Sequence, residues 1–434
     1  MNVSVVGLGK IGLPLALQIA SKNISVIGID TNESTVDAIN SAIEPFPNEP
    51  GMKDLLESSI LRQTFRATSD YISSIGNSDV VVIVVPLIVD NLKSPEFSNI
   101  DFATALVGKN LRPGTLVIFE TTVPIGTTSK RFKDILEIES GLRASEDFFI
   151  AYSPERVSSG SVFSDLKSYP KIVGGVCDVS AQKAKDFYAK ILDFDDRLLS
   201  DKFNGVWVLP SAEAAEFVKL AETVYRDVNI GLVNEFADLA EELNIDIYEV
   251  IAAANSQPYS HLHTPGISVG GHCIPVYPHF YLYKVPDSQI IRAAREKNNV
   301  MPLKCKKLIL EVFGSDKLNM RVLILGAVYR SNVRELAFSG VYEIYKSLKG
   351  LTSEIQVHDS LVSHHDIEKT GMSPFNGEWS SVDVIILHTS SDEYASLDFE
   401  VLTNLKLVID GRNFFSRREI PENIKLFKYG VGWC

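Results

Sequence analysis

The sequence predicts an α/β protein in which two doubly wound parallel-sheet units are joined by a long central helix. Three observations carry that prediction. Short apolar runs alternate with helical patterns over residues 1–155, a helix-period pattern runs unbroken from 211 to 243, and a second series of short apolar runs begins near 320.

The amino-terminal stretch NVSVVGLGKIGLPLALQIASKNISVIGID reads strand, glycine loop, helix, strand. Val3, Val5 and Val6 form the first apolar run, Gly7, Gly9 and Gly12 punctuate the loop, and the run VIGI ends at Asp30. The runs DVVVIVVP (79–86), TLVIFETTVP (115–124) and FFIAYSPE (148–155) are further strands, continuous enough in apolar character for a sheet covered on both faces. A break falls near 200–210, at Gly205 and Pro210. Beyond it, Phe217, Leu220, Val224, Val228, Gly231, Leu232, Phe236, Leu239 and Leu243 recur at three- and four-residue steps. At 1.5 Å per residue such a helix spans roughly 50 Å, long enough to link two domains or to pack against a second subunit. RVLILGAVYR, SEIQVHDSLV, VDVIILHTS and KLVIDGRN then read as strands of the second unit. We expect three parts: 1–200, 201–310 and 311–434.

Composition narrows the function. The chain has 434 residues, 45% of them apolar and 22% charged, with a net charge of −13. That acidity argues against nucleic acid as a partner. The most apolar run, 80–89, is about half a membrane span and contains Pro86, and the first residues carry no secretory pattern. We expect a soluble, cytoplasmic protein without membrane contact. Cys177, Cys273, Cys305 and Cys434 have the spacing of neither a zinc site nor a disulfide framework, so no metal is expected.

GLGKIG fits the pattern G-x-G-x-x-G, follows a strand, opens a helix and is followed by Asp30, 21 residues after Gly9. In a dinucleotide loop the first glycine makes the turn, the second admits the pyrophosphate, and the third lets helix and strand pack. Asp30 would accept from a ribose hydroxyl and repel a 2′-phosphate, which favours NAD over NADP. The expected cofactor site is Gly7, Gly9, Lys10, Ile11, Gly12 and Asp30, with Pro86 and Thr122. The second unit has only Gly326 at the equivalent turn and is not expected to hold a dinucleotide in this way.

PGISVGGHCIP (265–275) sets Cys273 behind two glycines and a histidine. In a nicotinamide enzyme a thiolate there could attack an aldehyde, and a second hydride loss would give a thioester that water hydrolyses. An inert cysteine in a tight turn is the plainer reading, and residue types alone leave both open.

Read with GLGKIG, the segment GGHCIPVYP resembles the UDP-glucose/GDP-mannose dehydrogenase family. NEPGM (48–52), TTVPIGTT (121–128), SPERV (153–157), PKIVGG (170–175), AEFVKLAE (215–222), VNIGLVNE (228–235), AREKNNVMP (294–302) and DGRN (410–413) occur in the family's order. SPERV resembles the branch that oxidises UDP-N-acetylhexosamines, above all UDP-N-acetylmannosamine. The resemblance implies two Rossmann-like domains, two NAD per turnover, a homodimer through the central helix and a part in surface polysaccharide synthesis. It makes Cys273 the nucleophile, Lys219 the oxyanion stabiliser, Glu155 a general acid/base whose pKa burial should raise, and Thr122 the holder of the hydrolytic water. It places Glu155, Arg156, Lys219, Gly266, Gly270, Gly271, Tyr329, Arg330 and Arg412 at the UDP-sugar, with 311–434 holding the UDP end and the active site expected in a cleft between the two α/β units.

The chain departs from the family at three places. Thr223 stands where members carry asparagine and offers a hydroxyl in place of an amide. Ala337 and Phe338 replace an arginine and a glutamate. Tyr259, His261 and His263 occupy a stretch where members carry an arginine. These departures leave UDP-N-acetylglucosamine and UDP-glucose open as substrates. A two-electron hydroxyacid dehydrogenase, which needs no thiol, and an inactive nucleotide-sugar-binding protein are the remaining rivals.

Overall fold

The computed structural model describes residues 1–46, 49–196, 198–199, 202–314, 318–416 and 420–434. Asn48 of the NEPGM segment, and the expected boundary between 200 and 201, lie outside the described residues. The chain forms two compact units, Met1–Glu222 with His279–Lys284, and Thr223–Pro278 with Val285–Cys434.

The first unit is built on an eight-stranded sheet. Six parallel strands lie in the order Phe65–Thr68, Ser25–Ile29, Asn2–Val6, Val80–Ile83, Leu116–Phe119 and Phe149–Tyr152. In chain order this is 3-2-1-4-5-6, the dinucleotide-binding arrangement. Lys171–Gly175 then runs antiparallel to Phe149–Tyr152, and Val206–Leu209 pairs parallel with it at the sheet's edge. The winding reverses between Asn2–Val6 and Val80–Ile83, so a crevice opens at the carboxyl ends of those strands. Val80–Ile83 and Leu116–Phe119 are buried at every position, as continuous apolar runs should be when helices cover both faces.

The second unit has a six-stranded sheet in the order Thr352–His358, Leu318–Leu325, Val384–Leu387, Leu407–Asp410, Lys425–Lys428 and Gly432–Trp433. The first five are parallel and the last is antiparallel, a 2-1-3-4-5 winding rather than that of the first unit. Here the strand order switches between Leu318–Leu325 and Val384–Leu387. The two units share a device: Asp30 accepts from the Leu8 N–H at 2.8 Å, and Asp359 accepts from Ala327 and Val328 N–H at 2.7 and 3.0 Å. In each, an acid after the second strand ties down the first βα turn.

The helix expected over 211–243 is Ala212–Leu243, 32 residues without proline. It contributes Ala212–Glu222 to the first unit and Thr223–Leu243 to the second. Gly231 costs helix stability but serves packing, since a Cβ there would lie 3.0 Å from the Ala294 backbone. Among the described residues no helix is long and apolar enough to cross a membrane.

Candidate active site

The glycine loop of the first unit divides its labour as the pattern requires. Gly7 has φ +93°, and a Cβ on Gly12 would stand 1.8 Å from the Gly7 carbonyl oxygen. Gly9 has nothing within 4 Å of its missing Cβ, which leaves open space beside the helix amino end. Asp30 uses Oδ2 on Leu8 N–H and Oδ1 on Asn32 N–H at 2.9 Å, so its carboxylate stands at the loop. These residues fit an adenine dinucleotide: of the three glycines, only Gly9 faces open space, where the pattern would admit a pyrophosphate. Pro86 lies exposed past the strand Val80–Ile83, and Thr121 Oγ1 donates to the Val85 carbonyl at 2.7 Å, which brings the Thr121–Thr122 turn alongside it. Lys10 is exposed and Ile11 half-buried on the same loop.

Thr122 is buried in the turn after Leu116–Phe119. The long helix fixes that turn. Buried Glu216 accepts from Gly126 N–H at 2.5 Å and Thr128 N–H at 2.8 Å. Lys219, on the next turn of the helix, is buried rather than a surface lysine, and its charge acts on Glu155. Arg156 is turned away from a free position: its guanidinium pairs with Glu222 at 2.6 Å and donates to the Pro170 carbonyl at 3.1 Å.

Glu155 corrects one expectation. Burial alone would raise its pKa, but the Lys171 ammonium at 2.9 Å and the Arg156 N–H at 2.6 Å hold it below the ordinary carboxylate value. On the other side of that lysine, burial raises the Glu120 carboxyl to about 7 against the opposing pull of Lys171, and burial raises Glu216 to about 7 as well. Glu120 caps the strand Leu116–Phe119, is 1% exposed, and lies 3.0 Å from the same Lys171. Sequence reasoning missed Glu120, Lys171 and Tyr188. A usable signal existed, since an acid ending a wholly apolar strand run is the buried polar group that calls for explanation.

In the second unit the cysteine loop is packed against the residues expected at the nucleotide. A Cβ on Gly266 would fall 2.6 Å from Arg412 Nη1, and one on Gly270 would fall 2.7 Å from Tyr329 Cβ. Gly271 has φ +91°, and its N–H donates to the Phe338 carbonyl at 3.2 Å, so only glycine suits both the backbone and the Tyr329 ring beneath it. Cys273 is half-buried, and its carbonyl accepts from Val276 and Tyr277 N–H at 3.2 and 2.9 Å. Arg330 is exposed over the Tyr329 ring, whereas Arg412 is part-buried and donates to the His388 carbonyl at 2.8 Å. Thr223 is buried on the long helix, one turn after Lys219. Phe338, one of the departures, adopts φ +55° and stacks edge-on to His272 at 5.2 Å. His261 and His263 meet Asn229 through backbone atoms, at 2.7 and 2.9 Å.

Three family models match the chain in order: the NAD binding domain over 1–192, the central domain over 213–300 and the UDP binding domain over 323–417 of the UDP-glucose/GDP-mannose dehydrogenase family. The chain belongs to this family. It is an NAD-dependent UDP-sugar dehydrogenase, an oxidoreductase. It is 34% identical over 430 residues to a UDP-N-acetyl-D-mannosamine dehydrogenase of Pyrococcus horikoshii, covering 95% of this chain and 96% of that one. A solved UDP-D-ManNAc dehydrogenase from Pyrococcus horikoshii superposes with a TM-score of 0.86 at 30% identity, each chain covered in full (100%). An NDP-N-acetyl-D-galactosaminuronic acid dehydrogenase from Methanosarcina mazei superposes with a TM-score of 0.84 at 27% identity, covering 99% of this dehydrogenase and 95% of that chain.

Proposed function

We propose that this dehydrogenase oxidises the 6-hydroxymethyl of UDP-N-acetyl-D-mannosamine to the carboxylate, by way of a thioester on Cys273. The observation that carries the reading is the cysteine loop, whose glycines admit no side chain against Tyr329 and Arg412. Such a loop sets the thiol at a fixed distance from the groups that would hold the diphosphate. Names carried by similar proteins support the choice of sugar.

Bound NAD supplies the hydride acceptor for both oxidations. Glu155, kept ionised by Lys171, takes the proton of the 6-hydroxyl as the first hydride leaves. The Cys273 thiolate attacks the aldehyde carbon and its oxygen becomes an alkoxide, which the Lys219 ammonium stabilises. Loss of a second hydride leaves a thioester. Water held by Thr122 attacks it, the C–S bond breaks, and the carboxylate and the Cys273 thiol are freed as the water's second proton passes to solvent. Thr223 donates one hydroxyl toward the developing oxyanion. Arg330, Arg412 and Tyr329 hold the nucleotide diphosphate, for which a guanidinium fork is well shaped. Arg156 holds Glu222 and the backbone beside Glu155.

The experiment is the NADH formed per UDP-sugar consumed, with N-acetylmannosamine, N-acetylglucosamine and glucose derivatives compared. About two NADH per sugar, with the first preferred, is the expected result. One NADH would remove Cys273 from its role, preference for another of the three would replace the substrate, and no NADH with any of them would move the reading to another nucleotide sugar.

The second unit leaves Tyr225, Leu232, Phe236, Leu239 and Leu243 exposed on the long helix. At about 100° per residue they fall within a stripe roughly 60° wide. A second copy of the chain is the fitting occupant, since a two-fold contact buries one stripe against its twin. We place the enzyme in the cytoplasm, where nucleotide sugars and NAD are both at hand.

A further inference from the structure

Behind Glu155 lies a closed set of groups that the reaction cycle above does not use. Lys171 Nζ stands 2.9 Å from Glu155 Oε2 and 3.0 Å from Glu120 Oε1. The Tyr188 hydroxyl donates to that same Glu120 oxygen. Lys171 is 5% exposed, Glu120 1% and Tyr188 0%, so no water competes for these bonds. Glu120 Oε2 is buried and has no hydrogen-bond partner. A carboxylate oxygen left bare in the interior is costly when charged, and a proton on it removes that cost.

We propose that Glu120 is the proton store for Glu155, reached through Lys171. The inference rests on Glu155 being the base in the oxidation. When hydride leaves C6, the hydroxyl oxygen keeps the O–H electron pair as C=O, and its proton forms a new O–H bond on Glu155. Lys171 then gives one N–H proton to Glu120 and recovers one from Glu155. Lys171 ends with its three protons, Glu155 is ionised again, and one proton has moved from substrate to Glu120. Glu120 touches no substrate. It acts through Lys171, and its task is to return the base to readiness between the two oxidations.

The titratable groups facing Glu120 are Lys171, Glu155 and the neutral Tyr188 phenol, and burial with Glu155 raises it to about 7 against Lys171. Lys171 stays charged, because the two carboxylates outweigh the burial that would lower it. Two carboxyls on one lysine therefore divide the work, one kept ionised and one poised to change state near neutrality. Below about pH 7 Glu120 already carries its proton and cannot accept another, so kcat should rise with pH through that value.

The test combines a pH profile with an infrared titration of the protein alone. The wild type should show a carboxylic-acid C=O band that disappears as pH rises through about 7, and a rising limb of kcat at the same pH. Glu120→Gln should lose the limb and its own part of the band, leaving the part from Glu216, which burial also raises to about 7, and above that limb its kcat should fall about tenfold. Tyr188→Phe removes a bond that favours the charged form, so band and limb should move to higher pH. An unchanged limb in Glu120→Gln overturns the proposal. Should that variant fail to fold, a band no part of which moves in Tyr188→Phe overturns it equally. Glu155→Gln separates the two readings. If it turns over normally, Glu155 is not the base. If it is inactive while Glu120→Gln keeps the wild-type profile, the proton store alone is wrong.

Discussion

His388 Nε2 lies 2.9 Å from Ser268 Oγ, five residues before Cys273. The Nδ1 atom faces the Gly326 carbonyl at 2.9 Å, while the Thr389 hydroxyl donates to the Val328 carbonyl at 2.6 Å. Nδ1 therefore carries the hydrogen, and Nε2 accepts from the serine. The bond fastens the cysteine loop to the end of the strand Val384–Leu387. Ser268→Ala leaves Nε2 bare in the interior, which costs about 1–3 kcal/mol. A lowered urea midpoint with unchanged NAD binding is the expected result. An unchanged midpoint would sink the assignment.

The same imidazole gives a pH dependence. Burial, then the Arg412 charge, pushes the His388 pKa down from 6.5 to about 3. A histidine held neutral in the folded state contributes stability that is complete above 6.5 and is lost as pH falls toward about 3. At full effect one group gives a slope of about 1.4 kcal/mol per pH unit. Unfolding free energies between those limits should fall less steeply in His388→Gln than in the wild type. Equal slopes would show that other groups carry the acid sensitivity.

Much of this architecture was legible because its signals are local. The glycine loop, the strand runs and the 32-residue helix follow from spacing and periodicity, which act over a few residues. What escaped depends on pairing between distant segments. Glu120, Lys171 and Tyr188 are 68 residues apart at their extremes and meet only through the antiparallel strand Lys171–Gly175 and the helix Asp178–Ile191. Glu155 was found by its motif, yet its ionisation was misread because the motif does not contain the lysine that decides it. Lys425–Lys428 escaped as a strand because its ends are charged and only its middle is apolar.

The cysteine loop is held at both ends by buried polar groups. Asn234 Oδ1 accepts from Gly266 N–H at 3.0 Å, and Asn298 Oδ1 accepts from Asn234 at 2.9 Å. Arg295 donates to the Ile274 carbonyl at 3.3 Å and pairs with Asp227 at 2.6 Å. Arg295→Leu strands the Asp227 carboxylate in the interior and should cost about 3–5 kcal/mol. The pair Asp227→Leu with Arg295→Leu should cost less than the sum of the single changes. Additive costs in chemical unfolding would argue that the two charges do not depend on each other.

The exposed stripe on the long helix makes a prediction about assembly. Phe236 and Leu239 are 40% and 56% exposed, one turn apart. Phe236→Glu or Leu239→Glu would bury a charge against its twin in a two-fold contact. Light scattering should find a dimer in the wild type and monomers in either variant at micromolar concentration. A monomeric wild type would leave the stripe without its proposed occupant.

Gly9 and Gly12 are three residues apart in one motif and should fail in opposite ways. A methyl on Gly12 meets the Gly7 carbonyl oxygen at 1.8 Å, a collision with backbone that cannot step aside. Gly12→Ala should therefore destabilise the first unit by about 1–3 kcal/mol or more, with or without cofactor. A methyl on Gly9 meets nothing within 4 Å, so Gly9→Ala should unfold at the wild-type midpoint. Its methyl instead occupies the space a pyrophosphate would cross, and NAD affinity should fall at least about tenfold, near 1.4 kcal/mol. The measurements are urea unfolding of the protein alone and calorimetric titration with NAD. Equal stability losses would mean that Gly9 serves the turn, whereas intact NAD binding by Gly9→Ala would mean that the cofactor does not approach the loop at that point.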